Sequence, residues 1–181
     1  MTITATPLRQ LPTEREIERV WLLRSLPVLP ARAVPLRIEQ GYFPRRDRPR
    51  DMRGRLRRTI RPDGGVVYHH TIKRGKGLVR REYERAISRE IFEEFWSRTR
   101  KLRVSKIRHE VREGALVWQV DVFDEPRGLV LAEVELPTPE THVTPPTWLA
   151  DYVVREVTED SRYTSRAIAR ALAGDPGHHF E

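Results

Sequence analysis

Residues 129–136 read Leu-Val-Leu-Ala-Glu-Val-Glu-Leu, the cleanest alternation of side-chain character in the chain. Successive side chains of a β-strand point to opposite faces of a sheet, so residues two apart share a face. Glu133 and Glu135 therefore share one face of a predicted strand, and the intervening Val134 lies on the other. The segment predicts a strand with an acidic side and an apolar side.

Like-charged pairs with the same spacing recur in four other segments that predict strands. They are Glu16 and Glu18, Arg55 and Arg57, Glu82 and Glu84, and Lys106 and Arg108. Like charges side by side on a solvent-exposed face repel each other and weaken a sheet. Around a shared cavity, the acidic pairs would hold metal ions and the basic pairs a polyanion. The spacing therefore indicates charged strand faces that enclose a cavity.

Turn and capping signals divide the chain into short strands with few helices. Asp63-Gly64-Gly65 is a hairpin signal between two alternating segments, and Ser88 predicts the N-cap of a helix. Residues 165–173 predict a C-terminal helix that ends at Gly174. We predict an α+β fold with seven or eight strands, mostly joined as hairpins. Closing this meander into a barrel removes its exposed edges and turns the charged doublets into the lumen.

Composition limits the classes of protein that the chain can belong to. Its 181 residues predict one domain, with 38% hydrophobic and 33% charged residues. A net charge of +8, with only four lysines among 34 cationic residues, predicts acidic partners such as nucleic acid or phosphorylated metabolites. Cysteine is absent, which excludes disulfides and thiolate chemistry. Without a long apolar run or a signal peptide, we expect a cytoplasmic protein with no membrane partner.

Seven short motifs follow one another along the chain. They are residues 16–19 (Glu-Ile-Glu-Arg), 38–42 (Ile-Glu-Gln-Gly-Tyr), 71–73 (Thr-Ile-Lys), 81–84 (Arg-Glu-Tyr-Glu), 121–123 (Asp-Val-Phe), 131–135 (Leu-Ala-Glu-Val-Glu) and 156–163 (Glu-Val-Thr-Glu-Asp-Ser-Arg-Tyr). In this order they resemble the CYTH superfamily of triphosphate tunnel metalloenzymes. The resemblance covers residues 14–172, which leaves an N-terminal tail of residues 1–13 and a C-terminal tail of residues 173–181.

The resemblance implies a fold, a reaction and a cofactor. The fold is an eight-stranded antiparallel closed β-barrel with flanking helices, whose tunnel binds a triphosphate with one or two Mg²⁺ or Mn²⁺ ions. The reaction is hydrolysis of inorganic tripolyphosphate or a related triphosphate, by in-line attack of water on a terminal phosphoryl group. The expected partners are tripolyphosphate, a nucleoside triphosphate or another triphosphate, and the protein is expected to be a monomer or a homodimer.

The resemblance also assigns roles to the charged residues. The expected metal ligands are Glu16, Glu18, Glu133 and Glu135, with Asp121 as a further acidic position that fits a structural salt bridge equally well. The expected phosphate ligands are Arg55, Arg57, Lys73 and Arg108, with Arg162 at the tunnel mouth. Lys106 is the candidate for stabilising the leaving phosphate, and Glu82 and Glu84 are the candidates for orienting basic side chains or a water. Carboxylates suit Mg²⁺ and Mn²⁺, and a polyanion needs several converging cations.

Two departures from the family pattern bear on activity. The family opens with Glu-x-Glu-x-Lys, but the lysine position here is Val20. Arg19 points to the other strand face and cannot replace that lysine, whereas Glu14 extends the acidic alternation. Reduced activity, a different substrate, or binding without cleavage are the expected consequences. The second departure is the extended stretch of residues 148–154, which is expected to alter the tunnel mouth.

Two other functions remain open from the sequence. Residues 45–58 contain eight arginines, Arg45, Arg46, Arg48, Arg50, Arg53, Arg55, Arg57 and Arg58, a density typical of RNA- or polyphosphate-binding modules. The acidic doublets argue against pure nucleic-acid binding, because they repel phosphates unless a cation lies between them. A class IV adenylyl cyclase is the other alternative, although no adenine-recognition feature stands out.

Overall fold

The computed structural model describes residues 14–44 and 52–174 of the chain. The arginines at positions 45, 46, 48 and 50 and nearly all of both predicted tails lie outside these ranges. The strands are β1 (Glu14–Leu23), β2 (Val34–Tyr42), β3 (Arg55–Ile60), β4 (Val66–Arg74), β5 (Val79–Ala86), β6 (Arg103–Glu113), β7 (Leu116–Phe123), β8 (Val130–Glu135) and β9 (Val153–Glu156). The helices are α1 (Arg89–Trp96), α2 (Thr147–Ala150) and α3 (Ser165–Leu172), with 3₁₀ turns at Ser97–Thr99 and Ser161–Tyr163.

The first eight strands form a closed antiparallel barrel. Their order around the barrel is β5-β4-β3-β2-β6-β7-β8-β1, and β1 pairs with β5 to close it. The predicted eight-stranded closed barrel is therefore confirmed. We call the end of the barrel where β1 and β2 finish the upper end. The lower end is the one where the turn at residues 61–65 joins β3 to β4.

A ninth strand, which the sequence did not predict, lies along the same edge of β1 as β5. The first part of β1 pairs with β5, from Glu14 to Ile17, whereas its last residues, Trp21 to Leu23, pair with β9. The atypical stretch 148–154 thus contains the end of α2 and the beginning of β9. Since an unpaired strand edge attracts other chains, β9 protects the part of β1 that β5 does not reach.

Most of the apolar core lies outside the barrel, as predicted from the alternation. Ile17 and Trp21 of β1 pack against Trp118 of β7 on the outer surface, where Leu149 of α2 covers them. The Trp21 and Trp118 ring centroids are 5.1 Å apart. A second outer cluster holds α1 against the barrel through Phe92, which is fully buried. This arrangement leaves the interior faces free for charged side chains.

An apolar cap covers one side of the upper end of the interior. Ile168 and Ala169 of α3 pack against Leu131 and Phe123, and Val20 is partly buried against the same cluster. Thr164 caps α3 by accepting a hydrogen bond from the backbone N–H of Ala167. The C-terminal helix therefore seals one side of the lumen above the charged residues. Within the described residues, no helix is long and apolar enough to cross a membrane.

We expect Ile168→Ala to lower the free energy of unfolding by about 2–5 kcal/mol, because it opens a cavity in this cap. Leu172→Ala, in the same helix, is the matched control: Leu172 is 43% exposed, and its loss should cost less than about 1 kcal/mol. Urea denaturation of both variants measures the difference. Equal destabilisation would show that α3 does not cap the barrel through Ile168.

Candidate active site

The upper part of the barrel interior is a cavity of about 430 Å³ with both signs of charge on its walls. Seven cationic residues line it, Arg55, Arg57, Lys73, Arg80, Lys106, Arg108 and Arg166. Seven acidic residues line it as well, Glu16, Glu18, Glu82, Glu84, Glu133, Glu135 and Asp160. All five like-charged doublets of the sequence thus face one enclosed space. The formal charges of its walls balance.

The candidate metal-binding carboxylates come from two adjacent strands. Glu18 of β1 and Glu135 of β8 are directly opposite in register, so their side chains leave the sheet side by side. Glu133 lies two residues before Glu135 on the same face. Burial, together with the nearby charges of Asp121 and Glu18, raises the pKa of Glu133. Mutual repulsion among these carboxylates is the condition that a divalent cation relieves.

Basic side chains separate the carboxylates in the structure. Among the described residues, no three acidic or histidine side chains are close enough to share one metal ion. Arg108 Nη2 contacts Glu133 Oε2 at 2.6 Å, and Arg80 bonds to both Glu16 and Glu18. The donor set itself fits Mg²⁺ or Mn²⁺, because it consists of hard carboxylate oxygens from neighbouring strands. Metal binding therefore requires these arginines to give up their carboxylate partners.

Asp121 is the fully buried anchor of the basic pair on β6. Arg108 donates to it through Nε at 2.7 Å and Nη2 at 2.6 Å, and the Lys106 ammonium donates to Oδ2. Burial alone would raise the pKa of Asp121, but the charges of Arg108 and Lys106 hold it at about 2. Asp121 does not line the cavity. It fits the structural interpretation, because it holds two cations in place from behind.

Arg55 and Arg57 project from β3 with part of their hydrogen-bonding capacity unused. Arg57 Nη2 donates to Glu84 Oε1 at 2.8 Å, and Arg55 Nη1 donates to Gln40 Oε1 at 3.2 Å. The Nε atoms of both arginines are buried and have no hydrogen-bond partner among the described residues. Burial and the charge of Arg55 lower the pKa of Arg57 to about 10. Both observations indicate that the space beside Arg55 and Arg57 suits an anion.

A second mixed cluster joins β1, β4 and β5. Lys73 bonds to Glu16 and lies 3.6 Å from Glu82, while Arg80 Nε donates to Glu16 Oε2 at 3.1 Å. Burial raises the pKa of Glu82 to about 7; Lys73 opposes the shift, and Glu16 adds to it through charge and a hydrogen bond. Glu16 is the ionised partner, since Lys73 and Arg80 outweigh its burial and lower its pKa.

Arg80 is a site residue that the sequence analysis missed. It lies two residues before Glu82 on β5, so the same alternation that located Glu82 and Glu84 contained it. Its charge is opposite to that of Glu82 and Glu84, so the spacing of like-charged pairs does not indicate it. Val20, at the position of the expected lysine, also lines the cavity, but its side chain packs toward the apolar cap.

Most of the predicted site residues meet in this cavity, and two do not line it. Asp121 lies behind Lys106 and Arg108, and Arg162 lies outside, where it donates to Asp160 at 2.8 Å. Arg19 points away from the lumen, as predicted, and donates to Glu156 of β9. Arg58 also lies outside the cavity and pairs with Glu39.

The raised pKa of Glu82 predicts how the stability of the protein depends on pH. Because the pKa of Glu82 is about 7 in the folded state and 4.5 ordinarily, the folded state holds the Glu82 proton between these pH values and the unfolded state does not. Protonation of Glu82 therefore stabilises the fold at low pH, and this stabilisation is lost as pH rises through 7. Glu82→Gln should therefore gain stability relative to the unmutated protein from pH 4.5 to 7, by up to about 1.4 kcal/mol per pH unit.

Urea unfolding of both proteins across this pH interval measures the effect. Glu94→Gln, on the exposed side of α1, is the matched control for the loss of a surface carboxylate. A constant difference between Glu82→Gln and the unmutated protein would contradict the raised pKa.

Two curated relatives are similar to the chain. An inorganic triphosphatase from Nitrosomonas europaea is 37% identical over 163 residues, which are 87% of this chain and 98% of the relative. An inorganic triphosphatase from Acetivibrio thermocellus is 34% identical over 99 residues, 52% of this chain and 59% of the relative. A crystal structure of an inorganic triphosphatase is 32% identical, with a TM-score of 0.52, and the match covers 85% of this chain and 93% of that one. No protein-family model matches the chain.

Proposed function

Because the chain belongs to the inorganic triphosphatase family, we propose that it hydrolyses inorganic tripolyphosphate to diphosphate and orthophosphate inside the barrel, with Mg²⁺ or Mn²⁺ as cofactor. The observation that carries the proposal is the enclosed cavity with seven cations and seven carboxylates on its walls. The closed charged barrel and the order of the sequence motifs support its assignment to the CYTH superfamily. The natural substrate is proposed to be tripolyphosphate or a close analogue.

Charge balance explains why substrate and metal would bind together. In the structure the cations of the cavity are paired with its carboxylates, for example Arg108 with Glu133 and Arg57 with Glu84. A tripolyphosphate that takes these cations leaves several carboxylates close together and unpaired, which is costly in a partly buried site. A divalent ion that enters with the substrate offsets this repulsion. We therefore propose that each ligand raises the affinity for the other, as linkage requires.

The phosphate chain would lie across β3, β4 and β6. Arg55 offers an unpartnered buried Nε–H group, and Arg57, Lys73 and Arg108 add charge from the same and neighbouring strands. Several donors that converge on a polyanion stabilise the charge that develops during phosphoryl transfer. No covalent intermediate is required, since water is the nucleophile.

Glu16, Glu18, Glu133 and Glu135 would hold the metal ion. When bound, Mg²⁺ or Mn²⁺ neutralises phosphate charge and makes water a better nucleophile. Asp121 would remain a positioning residue, because two cations occupy its carboxylate. All four carboxylates line the upper cavity.

Lys106 is our candidate for assisting the leaving phosphate. Its ammonium is buried, bonds to Asp121 and lies 5.0 Å from the Phe123 ring centroid. Burial lowers the pKa of Lys106, which makes the ammonium a readier proton donor than a solvent-exposed lysine. Glu82 and Glu84 would orient Lys73 and Arg57, to which they lie close.

Nucleic-acid binding is not favoured as the alternative. Within the described residues of the arginine-rich segment, Arg55 and Arg57 face the barrel interior, and Arg58 pairs with Glu39. These side chains do not form an exposed strip that a duplex could contact.

Phosphate release from tripolyphosphate tests the proposal. We expect turnover with Mg²⁺ or Mn²⁺ and none with a chelator, and Glu133→Gln should lower kcat/KM by about 100-fold or more, because it removes a metal ligand. Glu94→Gln should behave like the unmutated protein. Calorimetry on the unmutated protein should also show that tripolyphosphate binds more tightly in Mn²⁺ than in chelator. Absence of both turnover and metal-linked binding would refute the function.

We further propose that Arg80 supplies the cation that Val20 does not. Its guanidinium reaches the same two carboxylates, Glu16 and Glu18, that precede the expected lysine on β1. The barrel therefore keeps a cation at this wall, carried by β5, while Val20 is free to pack against the cap.

Arg80→Gln should lower kcat/KM for tripolyphosphate about tenfold or more, since it removes a charged hydrogen bond to phosphate. Adding Val20→Lys to that variant should restore part of the loss, because a lysine at position 20 enters the same cavity. Arg81→Gln, on the opposite face of β5, is the matched control. Full activity in Arg80→Gln would show that the site works without a cation at this position.

A further inference from the structure

The lower end of the barrel interior forms a second cavity, of about 550 Å³. Arg57, Arg108 and Gln119 line both cavities and therefore form the partition between them. Arg61 and His69 line only the lower cavity. None of the sequence motifs assigns a role to Arg61 or His69.

The lower cavity contains hydrogen-bonding groups that lack a partner. The Nε of Arg57 and the Nδ1 of His69 are both buried and have no hydrogen-bond partner among the described residues. The two residues are directly opposite each other in the β3–β4 register, so their side chains lie side by side. Buried polar atoms without partners are rare in proteins, and a bound ion is one way in which they are satisfied.

The arginines of the lower cavity differ in how they are paired. Arg61 has no ion-pair partner within residues 14–44 and 52–174, whereas Arg57 shares Glu84 with Arg55. Two carboxylates also line the cavity: Asp63 accepts from the backbone N–H of Gly65 at 2.8 Å, and Glu110 accepts from Gln119.

Apolar side chains form the opposite wall. Leu36 and Ile38 of β2 and Val67 of β4 line the lower cavity beside the basic groups. Apolar walls exclude water and strengthen charge–charge attraction within a site. The combination of unpartnered guanidinium and ring nitrogens with an arginine that has no ion-pair partner among the described residues suits a small polyanion.

We propose that the lower cavity binds a phosphate group on the far side of the Arg57–Arg108 partition from the hydrolytic site. This inference rests on the proposed function, because that function supplies the phosphate. The phosphate group has two possible sources: orthophosphate released by hydrolysis, or the outermost phosphoryl group of a chain longer than tripolyphosphate. Since α3 and residues 157–166 overlie the upper cavity, the lower cavity gives the released group a separate path to solvent.

Orthophosphate binding to the metal-free protein, measured by calorimetry, tests the site without turnover. Arg61→Ala and His69→Ala should each weaken binding about fivefold or more, since each removes a donor to the phosphate. Arg61 is exposed at a turn, so its substitution leaves the barrel intact. The matched controls are Arg127→Ala, at the opposite end of the barrel, and His109→Ala, on the outer face of β6; both should bind orthophosphate normally.

A spectroscopic readout separates direct contact from a structural effect. Saturating orthophosphate should shift the ¹⁵N resonance of the His69 ring nitrogen Nδ1, and Arg61→Ala should reduce that shift at equal phosphate concentration. Unchanged orthophosphate affinity in both Arg61→Ala and His69→Ala would overturn the proposal, and so would a His69 ring unaffected by phosphate. These measurements remain informative if the chain does not hydrolyse tripolyphosphate.

Kinetics then identify the source of the phosphate. If the released product uses the cavity, Arg61→Ala should weaken inhibition by added orthophosphate and leave the ratio of kcat/KM for tetrapolyphosphate and tripolyphosphate unchanged. If the cavity takes a fourth phosphoryl group, the same variant should lower that ratio about fivefold. An unchanged ratio together with unchanged product inhibition would overturn the proposal for both sources.

Discussion

Pairing of opposite charges across the strands of a closed barrel is the constraint on which the rest of the structure depends. Charged doublets cannot line an enclosed space unless the doublets of the other sign face them. The Asp121 carboxylate shows this most clearly: it is fully buried, and Arg108 and Lys106 both bond to it. The apolar core is consequently displaced to the outer surface, where α1 and α2 cover it.

The same balance connects structure with activity. We propose that a polyanion or a metal ion alone binds the upper cavity weakly, because either one breaks existing ion pairs there without replacing them. On the proposed assignment the two ligands would exchange partners with the walls: phosphates would take the arginines, and the metal would take the carboxylates. Preorganisation here means that both sets of ligands are already on the correct strand faces before either ligand arrives.

Strand alternation made the barrel and most of its lining predictable, because a period of two fixes which residues share a face. It located Glu133, Glu135 and Arg57 without knowledge of any contact. Three features could be identified only from the three-dimensional structure. Arg80 differs in sign from its neighbours, β9 is identified by the edge of β1 that it pairs with, and Arg162 bonds to Asp160 rather than entering the cavity. The partition between two cavities likewise arises from side chains of separate strands.

The pairing of β9 with β1 also constrains how the chain can be shortened. The segment that follows β9 supplies Thr158, Asp160 and Tyr163 to the wall of the upper cavity, and β9 itself covers the end of the strand that carries Glu16 and Glu18. Truncation before residue 153 would leave eight strands, but it would expose hydrogen-bonding groups along the end of β1. The minimal folding unit therefore extends beyond the geometric barrel.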